Sequence, residues 1–315
     1  MRRFVLRRVL LMIPTLIGIS ILTFGLANAT PGDPAFVAAE RSLGRTPTAQ
    51  EVLAQRKALH LDRPLPAQYL DWVGRAVRGD LGISFASRRP VRTELFHRIP
   101  FTLQLAVPAI VLAMLIAVPA GMISALRRNG PLDQAVRLAS LAGACMPGFW
   151  LALLLIILFS VRLSLLPVAG RGGLDHLVLP VVTLAMQPMS ILARYTRSTM
   201  LEALGSDYVI TARAKGAAGW RVVTRHVLRN SLVPVITTVG TQLGFLLAGA
   251  TVIETIFVWP GVGKLLVDAI SARDYPMIEG FVLYAGVAFV VLNLLVDVLY
   301  AAIDPRITTR AGGRR

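Results

Sequence analysis

The sequence predicts an all-α membrane protein with six transmembrane helices, and three observations lead to this class. Hydrophobic residues make up 55% of the 315 residues and charged residues only 16%, against roughly 25% charged in a typical soluble protein. A helix needs about 20 mainly apolar residues to cross a bilayer, and it satisfies its own backbone in lipid. Asp, Glu, Lys and Arg are absent from six windows of about that length: 9–32, 99–126, 138–161, 176–193, 230–253 and 280–296.

Composition also excludes several classes of protein. A chain this apolar cannot remain solvated as a disordered segment. Cys145 is the only cysteine, so the chain forms no internal disulfide and contains no C-x-x-C motif. The net charge of +16 does not indicate nucleic-acid binding, because the basic residues flank the apolar windows as membrane topology requires.

The distribution of basic residues predicts the orientation. Eighteen Lys and Arg residues occur at the two ends and in the second-to-third and fourth-to-fifth connections, whereas the opposite short loops contain four. The positive-inside rule therefore predicts that both termini are cytoplasmic. The first window could instead be a signal peptide or a twin-arginine signal beginning at Arg2-Arg3. Its apolar stretch exceeds the 7–15 residues of a typical signal core, which favours a retained span.

These windows divide the chain into an N-terminal span (1–29), an extracytoplasmic segment (30–98), a five-helix core (99–306) and a cytoplasmic tail (307–315). In the extracytoplasmic segment, Thr46-Pro47-Thr48 predicts a helix start, because Glu51 follows in the first turn. A second short helix is predicted over 67–77, with one face formed by Tyr69, Trp72, Val73 and Ala76. The segment is either a small helical cap or a docking surface for the component that delivers substrate.

The cytoplasmic connection 194–229 contains the most informative pattern. Tyr208, Thr211, Ala212 and Lys215 recur at helical spacing. Gly216 permits a sharp change of direction, and a second helical run starts near Trp220. The pattern predicts a helix–turn–helix bracket whose basic residues suit an acidic partner or a phospholipid surface. An ordinary solvated basic loop is the alternative.

Residues Asp207–Pro234 resemble the "EAA" loop of ABC-transporter permeases, and Ala-Arg-Ala-Lys-Gly within it is similar to the form found in the dipeptide/oligopeptide/nickel importer family. The resemblance extends over about 1–306. It departs from the general permease pattern at Ile210 and Thr211, where Glu and Ala are the usual residues, and at His226 and Arg229. The other matching motifs are Pro31-Gly32-Asp33-Pro34, Leu61–Leu70, Gly79–Phe85, Glu254–Gly263, Arg273–Pro276 and Asp304-Pro305-Arg306.

The resemblance implies a permease subunit of a type I ABC importer in the bacterial inner membrane. The bracket would be a coupling helix seated on an ATPase. Partners would be a second homologous permease, two cytoplasmic ATPases that bind the ATP, and an extracytoplasmic substrate-binding protein. Substrates of the family include dipeptides, oligopeptides, glutathione and nickel complexes. The implied ATPase contacts are Tyr208, Thr211, Ala212, Arg213, Ala214, Lys215 and Gly216, and the candidate docking or gate residues are Asp33, Pro34 and Asp80.

No catalytic motif is present in the sequence. Gly261-Val262-Gly263-Lys264 is similar to the end of a phosphate-binding loop, but Val258 and Leu265 replace the required Gly and Ser/Thr. None of the four histidines lies at metal-ligand spacing from another. We therefore expect neither an enzyme nor a cofactor in this chain.

Polar residues within the apolar windows are candidates for the translocation path. Glu254 and Asp297 lie at or near membrane depth, where burying an acid costs at least ~2.5 kcal/mol unless it is partnered. Thr241 and Gln242 lie on the fifth span. Each could line a water-filled path or form a helix–helix hydrogen bond. A secondary transporter would be expected to show repeated spans and deeply buried ion-coupling acids, and an intramembrane enzyme would need a catalytic dyad.

Overall fold

The structure, a computed structural model, describes residues 2–29 and 32–303. Thr30, Pro31 and residues 304–315, which include Asp304-Pro305-Arg306, lie outside the described residues. The described chain is helical, and its only β-type pairing is an isolated bridge between Ile83 and Pro90. The helices are α1 Arg2–Ala29, α2 Pro34–Leu43, α3 Ala49–Ala58, α4 Leu65–Val77, α5 Val91–Leu126, α6 Pro131–Cys145, α7 Gly148–Leu155, α8 Asp175–Leu204, α9 Asp207–Ala214, α10 Gly219–Arg221, α11 Arg229–Gly249, α12 Thr251–Ile256, α13 Val262–Ser271 and α14 Tyr275–Ile303. Two π-helices directly follow α7 and α10, at Ile156–Arg162 and Val222–Leu228.

The predicted all-α membrane class is confirmed. Among the described residues, four helices are long and apolar enough to cross a membrane, and a fifth span is added if a bent helix pair counts as one. The four are Arg8–Ala29, Val91–Leu126, Asp175–Leu204 and Tyr275–Val296. The remaining predicted window, 230–253, falls on α11 and α12. α11 has 21 residues, which is the length of a span.

The third predicted window, 138–161, is not one continuous helix. α6 ends at Cys145, and the following helical stretch Gly148–Arg162 is bent from it by 101°. The break lies at Met146-Pro147, where Met146 adopts an extended conformation with φ −78° and ψ 118°. Proline has no backbone N–H and disfavours the helical conformation in the residue before it, so the helix stops here.

Two compact units divide the described chain. In the unit formed by residues 2–8, 103–259 and 291–303, α8 packs against α6, α7, α11 and the π-helix Val222–Leu228. Glycine permits this close packing at two positions. A Cβ at Gly121 would lie 2.6 Å from the Ala193 carbonyl oxygen, and one at Gly143 would overlap Ser190. Small residues at such contacts are typical of transmembrane helix pairs.

The second unit comprises residues 9–102 and 260–290. Here the predicted face of α4 packs against α1: the Tyr69 and Phe24 rings are 5.6 Å apart, the Tyr69 hydroxyl lies 2.8 Å from Ser20 Oγ, and Trp72 is buried. α4 begins at Leu65, two residues earlier than predicted, because proline is tolerated in the first turn of a helix. A second cluster packs α5 against α13 and α14; its buried members are Val91, Leu95, Val262, Ala269, Met277 and Phe281.

The predicted start of α3 is confirmed by a capping box. The Thr48 hydroxyl accepts a hydrogen bond from the Glu51 backbone N–H, and the Glu51 carboxylate accepts one from the Thr48 backbone N–H. Hydrogen bonds from Arg45 and then from Thr48 lower the pKa of Glu51 to about 2. The carboxylate therefore stays ionised in the first turn, where the helix dipole favours negative charge.

Candidate functional site

The bracket predicted between the fourth and fifth windows has the expected geometry. α8 ends at Leu204, α9 runs from Asp207 to Ala214, and α10 starts at Gly219 after a tight turn. Gly216 lies in that turn with φ +79°, and a Cβ built on it would meet no atom within 4 Å. Backbone conformation rather than packing therefore favours glycine at this position.

The inner side of the bracket is anchored to the transmembrane helices. Val209 is fully buried, and it packs in one cluster with Val222, Val223 and Val227 of the π-helix. Ala125 of α5 and Met200 of α8 complete the buried cluster. The bracket is therefore joined to two long helices, α5 and α8, through packed side chains.

The outer side of the bracket is exposed. Six of the seven residues that the resemblance implicates are exposed: Tyr208, Thr211, Arg213, Ala214, Lys215 and Gly216. Ala212 differs from the others, because it is half-buried and packs against the inner cluster. The expectation that it shares a face with Tyr208, Thr211 and Lys215 is therefore wrong. Ala212 lies three residues after Val209, which brings both side chains to the inward side of the helix.

Two large hydrophobic side chains extend the exposed surface beyond the expected residues. Ile210 is 60% exposed and Trp220 is 67% exposed. The sequence pattern marks Trp220 only as the start of a helix, although an apolar aromatic residue in a basic loop is a signal for a protein contact. We call the set Tyr208, Ile210, Arg213, Lys215 and Trp220 the coupling surface.

A buried ion pair joins α6 to α8 just before the bracket. Asp133 is fully buried, and its two carboxylate oxygens accept hydrogen bonds from Arg197 Nε at 2.7 Å and Nη2 at 2.8 Å. Ser124 Oγ donates to Asp133 at 2.5 Å and the Asn129 backbone N–H donates at 2.8 Å. Sequence reasoning missed this pair, although a lone acid in the first turn of a helix that starts with proline is a recognisable signal.

The candidate path residues are not equivalent in the structure. Glu254 is fully buried and Gln242 is 9% exposed, whereas Thr241 is exposed. Thr237, Thr241 and Phe245 recur every four residues and form an exposed side of α11. The backbone of Asp297 lies in α14, but its side chain lies outside the described part. Their role in a path stays a prediction.

The candidate docking or gate residues form local structure in the second unit. The Asp33 carboxylate caps α2 by accepting from the Ala35 backbone N–H at 3.0 Å, and it pairs with Arg56 Nη2 at 2.7 Å. Pro34 occupies the first position of that helix. The Asp80 carboxylate accepts from the Gly82 backbone N–H at 2.9 Å and so stabilises a turn. A docking role stays a prediction.

A buried acid in this unit, Asp274, joins two segments that are far apart in the sequence. Asp274 is buried and accepts hydrogen bonds from Ser84 Oγ at 2.5 Å, the Phe85 N–H at 3.0 Å and the Ala86 N–H at 3.1 Å. Arg273–Pro276 therefore holds Gly79–Phe85 in place, although about 190 residues separate them in the sequence.

The described residues form no candidate metal centre. Residues 2–29 and 32–303 contain no group of three or more His, Cys, Asp or Glu side chains that could hold a metal ion. Lys264 Nζ forms an ion pair with Asp268 at 2.8 Å, one turn along α13.

Comparison with known families decides the classification. Residues 1–106 match the N-terminal model of the binding-protein-dependent transport system membrane components, and residues 117–309 match the main model for the inner membrane component of these systems. The chain belongs to this family. The predicted resemblance is thereby confirmed over both parts of the chain.

Relatives from this transport family match over nearly the whole chain. The chain is 41% identical to the dipeptide transport system permease protein DppB of Escherichia coli, and the alignment covers 98% of this chain and 99% of the relative. It is 43% identical, with the same coverage, to the di/tripeptide permease DppB of Pseudomonas aeruginosa and to the glutathione permease GsiC of Escherichia coli.

A solved structure supports the family fold. The inward-facing MetNI methionine ABC transporter matches with a TM-score of 0.57 and 18% sequence identity, over 67% of this chain and 96% of the matched chain. At that identity the comparison supports the fold alone.

Proposed function

We propose that this chain is the membrane-spanning permease subunit of an ATP-driven importer for peptides or related small solutes. Its family and its relatives support the class, and the named substrates of those relatives are dipeptides, di/tripeptides and glutathione. The observation that carries the mechanism is the bracket, whose inner side is anchored in the membrane unit while its outer side presents the coupling surface.

The coupling surface has the composition of a protein contact. Exposed Tyr208, Ile210 and Trp220 offer large apolar groups, and Arg213 and Lys215 add positive charge. Aromatic residues and arginine are enriched where proteins bind one another. The partner in this proposal is an ATPase that carries the ATP site, and the importer uses two such subunits with a second homologous permease.

The buried cluster around Val209 would transmit a movement of the bound ATPase to the transmembrane helices. Movement of α9 displaces Val209, which contacts the side chains that join the bracket to α5 and α8. ATP-dependent closure of the ATPases would thereby shift the permease between two conformations, as alternating access requires. Asp133 and Arg197 fix α6 to α8, so the two helices move together.

The remaining assignments follow from topology. Both termini and the bracket lie in the cytoplasm, and residues 30–98 lie outside it, where a substrate-binding protein docks near Asp33, Pro34 and Asp80. The exposed side of α11, which contains Thr241, lines the path against the second permease. Glu254, Gln242 and Asp297 are the further candidates for the path.

Gly216→Glu tests the coupling role, with Gly170→Glu as the matched control. Gly170 also has a left-handed backbone, at φ +89°, and open space around its Cβ position. Each substitution costs about 1–2 kcal/mol of backbone strain, well below the 5–15 kcal/mol stability of a typical protein. Only Gly216→Glu places a negative charge beside the coupling surface.

We expect Gly216→Glu to reach the membrane at normal levels, to lose most co-purifying ATPase and to abolish ATP-dependent uptake. Gly170→Glu should retain the ATPase. Normal uptake and complex recovery in Gly216→Glu would contradict the assignment. Equal loss of ATPase in both variants would show that backbone strain, rather than the bracket, causes the defect.

A further inference from the structure

A basic cavity opens between α6 and α8 in the first unit. Its volume is about 570 Å³, and it is lined by Gln134, Arg137, Leu138, Leu141, Arg194 and Arg197. Three of the six lining residues are arginines and none is acidic. Asp133 of α6 is fully buried and paired with Arg197. The cavity therefore presents positive charge that the protein does not neutralise.

Two of the three arginines are available to a ligand. Arg197 is held by Asp133 through two hydrogen bonds. Arg137 and Arg194 are exposed, and neither side chain has a hydrogen bond or ion pair within the part of the chain that the structure describes. Two uncompensated guanidinium groups at one cavity form a site for an anion, with phosphate geometry suiting arginine in particular.

The position of these arginines along their helices indicates the depth of the site. Arg137 immediately precedes the uncharged window 138–161, and Arg194 immediately follows the uncharged window 176–193. Both therefore lie at the edge of an apolar stretch, and the cavity that they line together brings these two edges to the same level. The cavity is at the level of lipid headgroups.

Apolar side chains line the part of the cavity that lies towards the hydrocarbon core of the membrane. Leu138 is 67% exposed and Leu141 is 53% exposed, three residues apart on the same side of α6. A soluble anion would use the arginines but gain nothing from the leucines. A phospholipid matches both, because its phosphate meets the arginines while its acyl chain lies along the leucines.

We propose that the α6–α8 cavity binds the headgroup of an anionic phospholipid through Arg137 and Arg194. Gln134 lies where it can donate to the headgroup, whereas the charge of Arg197 is neutralised by Asp133. The proposal rests on the membrane location of the chain and not on its role in import. Since α8 leads directly into the bracket, the bound lipid contacts the helix pair that supports the coupling surface.

Native mass spectrometry of the intact transporter, released from detergent, tests this proposal. The probes are phosphatidylglycerol and phosphatidylcholine with identical acyl chains, and inorganic phosphate in a separate titration. We expect phosphatidylglycerol to bind more tightly than phosphatidylcholine. Each arginine removed should weaken phosphatidylglycerol binding about fivefold, so the affinity of Arg137→Gln/Arg194→Gln should fall roughly 25-fold.

Two further variants keep the result interpretable. Arg127→Gln/Arg128→Gln removes the same number of exposed charges from the neighbouring loop and should retain the preference for phosphatidylglycerol. Arg137→Lys/Arg194→Lys keeps the charge and should retain most of the binding, which excludes misfolding as the cause.

Three outcomes would overturn the proposal. Equal binding of the two lipids would show that the cavity does not recognise the headgroup charge. Equal loss in the loop variant would indicate diffuse surface attraction. Saturable phosphate binding that displaces the lipid, together with unchanged lipid affinity in Leu138→Gln/Leu141→Gln, would assign the site to a soluble anion.

Discussion

Replacing Asp133 with asparagine isolates the electrostatic part of the contact between α6 and α8. The change keeps the size of the side chain but removes its negative charge, so Arg197 loses its partner. The new amide has one acceptor oxygen in place of two. The Ser124 hydroxyl, the Asn129 N–H and both Arg197 donors therefore compete for it.

The burial of the two partners sets the size of the effect. Removing one member of a buried ion pair costs about 3–5 kcal/mol, because the other charge is left uncompensated. The Arg197 side chain is 20% exposed, so water partly hydrates it and we expect Asp133→Asn to cost about 3 kcal/mol. Arg197→Gln should cost about 4–5 kcal/mol, since it leaves a carboxylate with 0% exposure.

A double-mutant cycle measures the coupling between the partners. The free energy of unfolding is obtained by denaturant titration in mixed micelles, with tryptophan fluorescence as the signal. Asp133→Asn/Arg197→Gln leaves no unpaired charge, and its cost should fall below the sum of the single variants by about 2–3 kcal/mol. Arg128→Gln, an exposed control, should stay within about 0.5 kcal/mol of wild type. Additive single costs, or costs below about 1 kcal/mol, would refute the reasoning.

Two further predictions concern the other buried acids. Asp274→Asn should destabilise the protein by about 2 kcal/mol, because one of the partly buried N–H groups of the 84–86 loop loses its acceptor. Thermal unfolding and proteolysis of that loop report the loss, and the exposed Asp268→Asn should change little. Glu254→Gln keeps the volume of the side chain, so we expect a melting temperature within a few degrees of wild type and reduced ATP-dependent uptake. Unchanged uptake would argue against a role for Glu254 in the path.

Periodicity and turn chemistry were sufficient to predict the long apolar helices, α3, α4 and the bracket. The uncharged windows located the spans, and the spacing of Tyr69 and Trp72 identified the face of α4 that packs on α1. Gly216 predicted the turn after α9, which the structure places in the left-handed region. These features depend on residues close in sequence, where local conformation and one-sided burial leave a visible pattern.

Features that depend on distant residues could not be predicted in this way. Ser84 meets Asp274 across about 190 residues of sequence, and Asp133 meets Arg197 across 64. No periodic signal encodes such pairs. The bend at Met146-Pro147 was predictable from proline chemistry, but the absence of charge on both sides made the window resemble one continuous span.

The bracket contains both features that local sequence predicts and features that tertiary contacts determine. Exposure of Tyr208 and Lys215 follows from helical spacing. Ala212 faces inward because it lies on the same side of α9 as Val209. The packing of that side against the buried cluster is a property of the tertiary structure. Trp220 is exposed, whereas Val222 and Val223, which follow it in the chain, are buried on the inner side of the bracket.

The most direct test of the central claim is affinity purification of the tagged full-length chain from solubilised membranes, followed by identification of the proteins that co-purify. The account predicts two ATPase subunits and a second permease, with ATP-dependent uptake after reconstitution with a substrate-binding protein. Recovery of this chain alone, stable and competent for uptake in liposomes without ATP, would contradict it in favour of a secondary transporter.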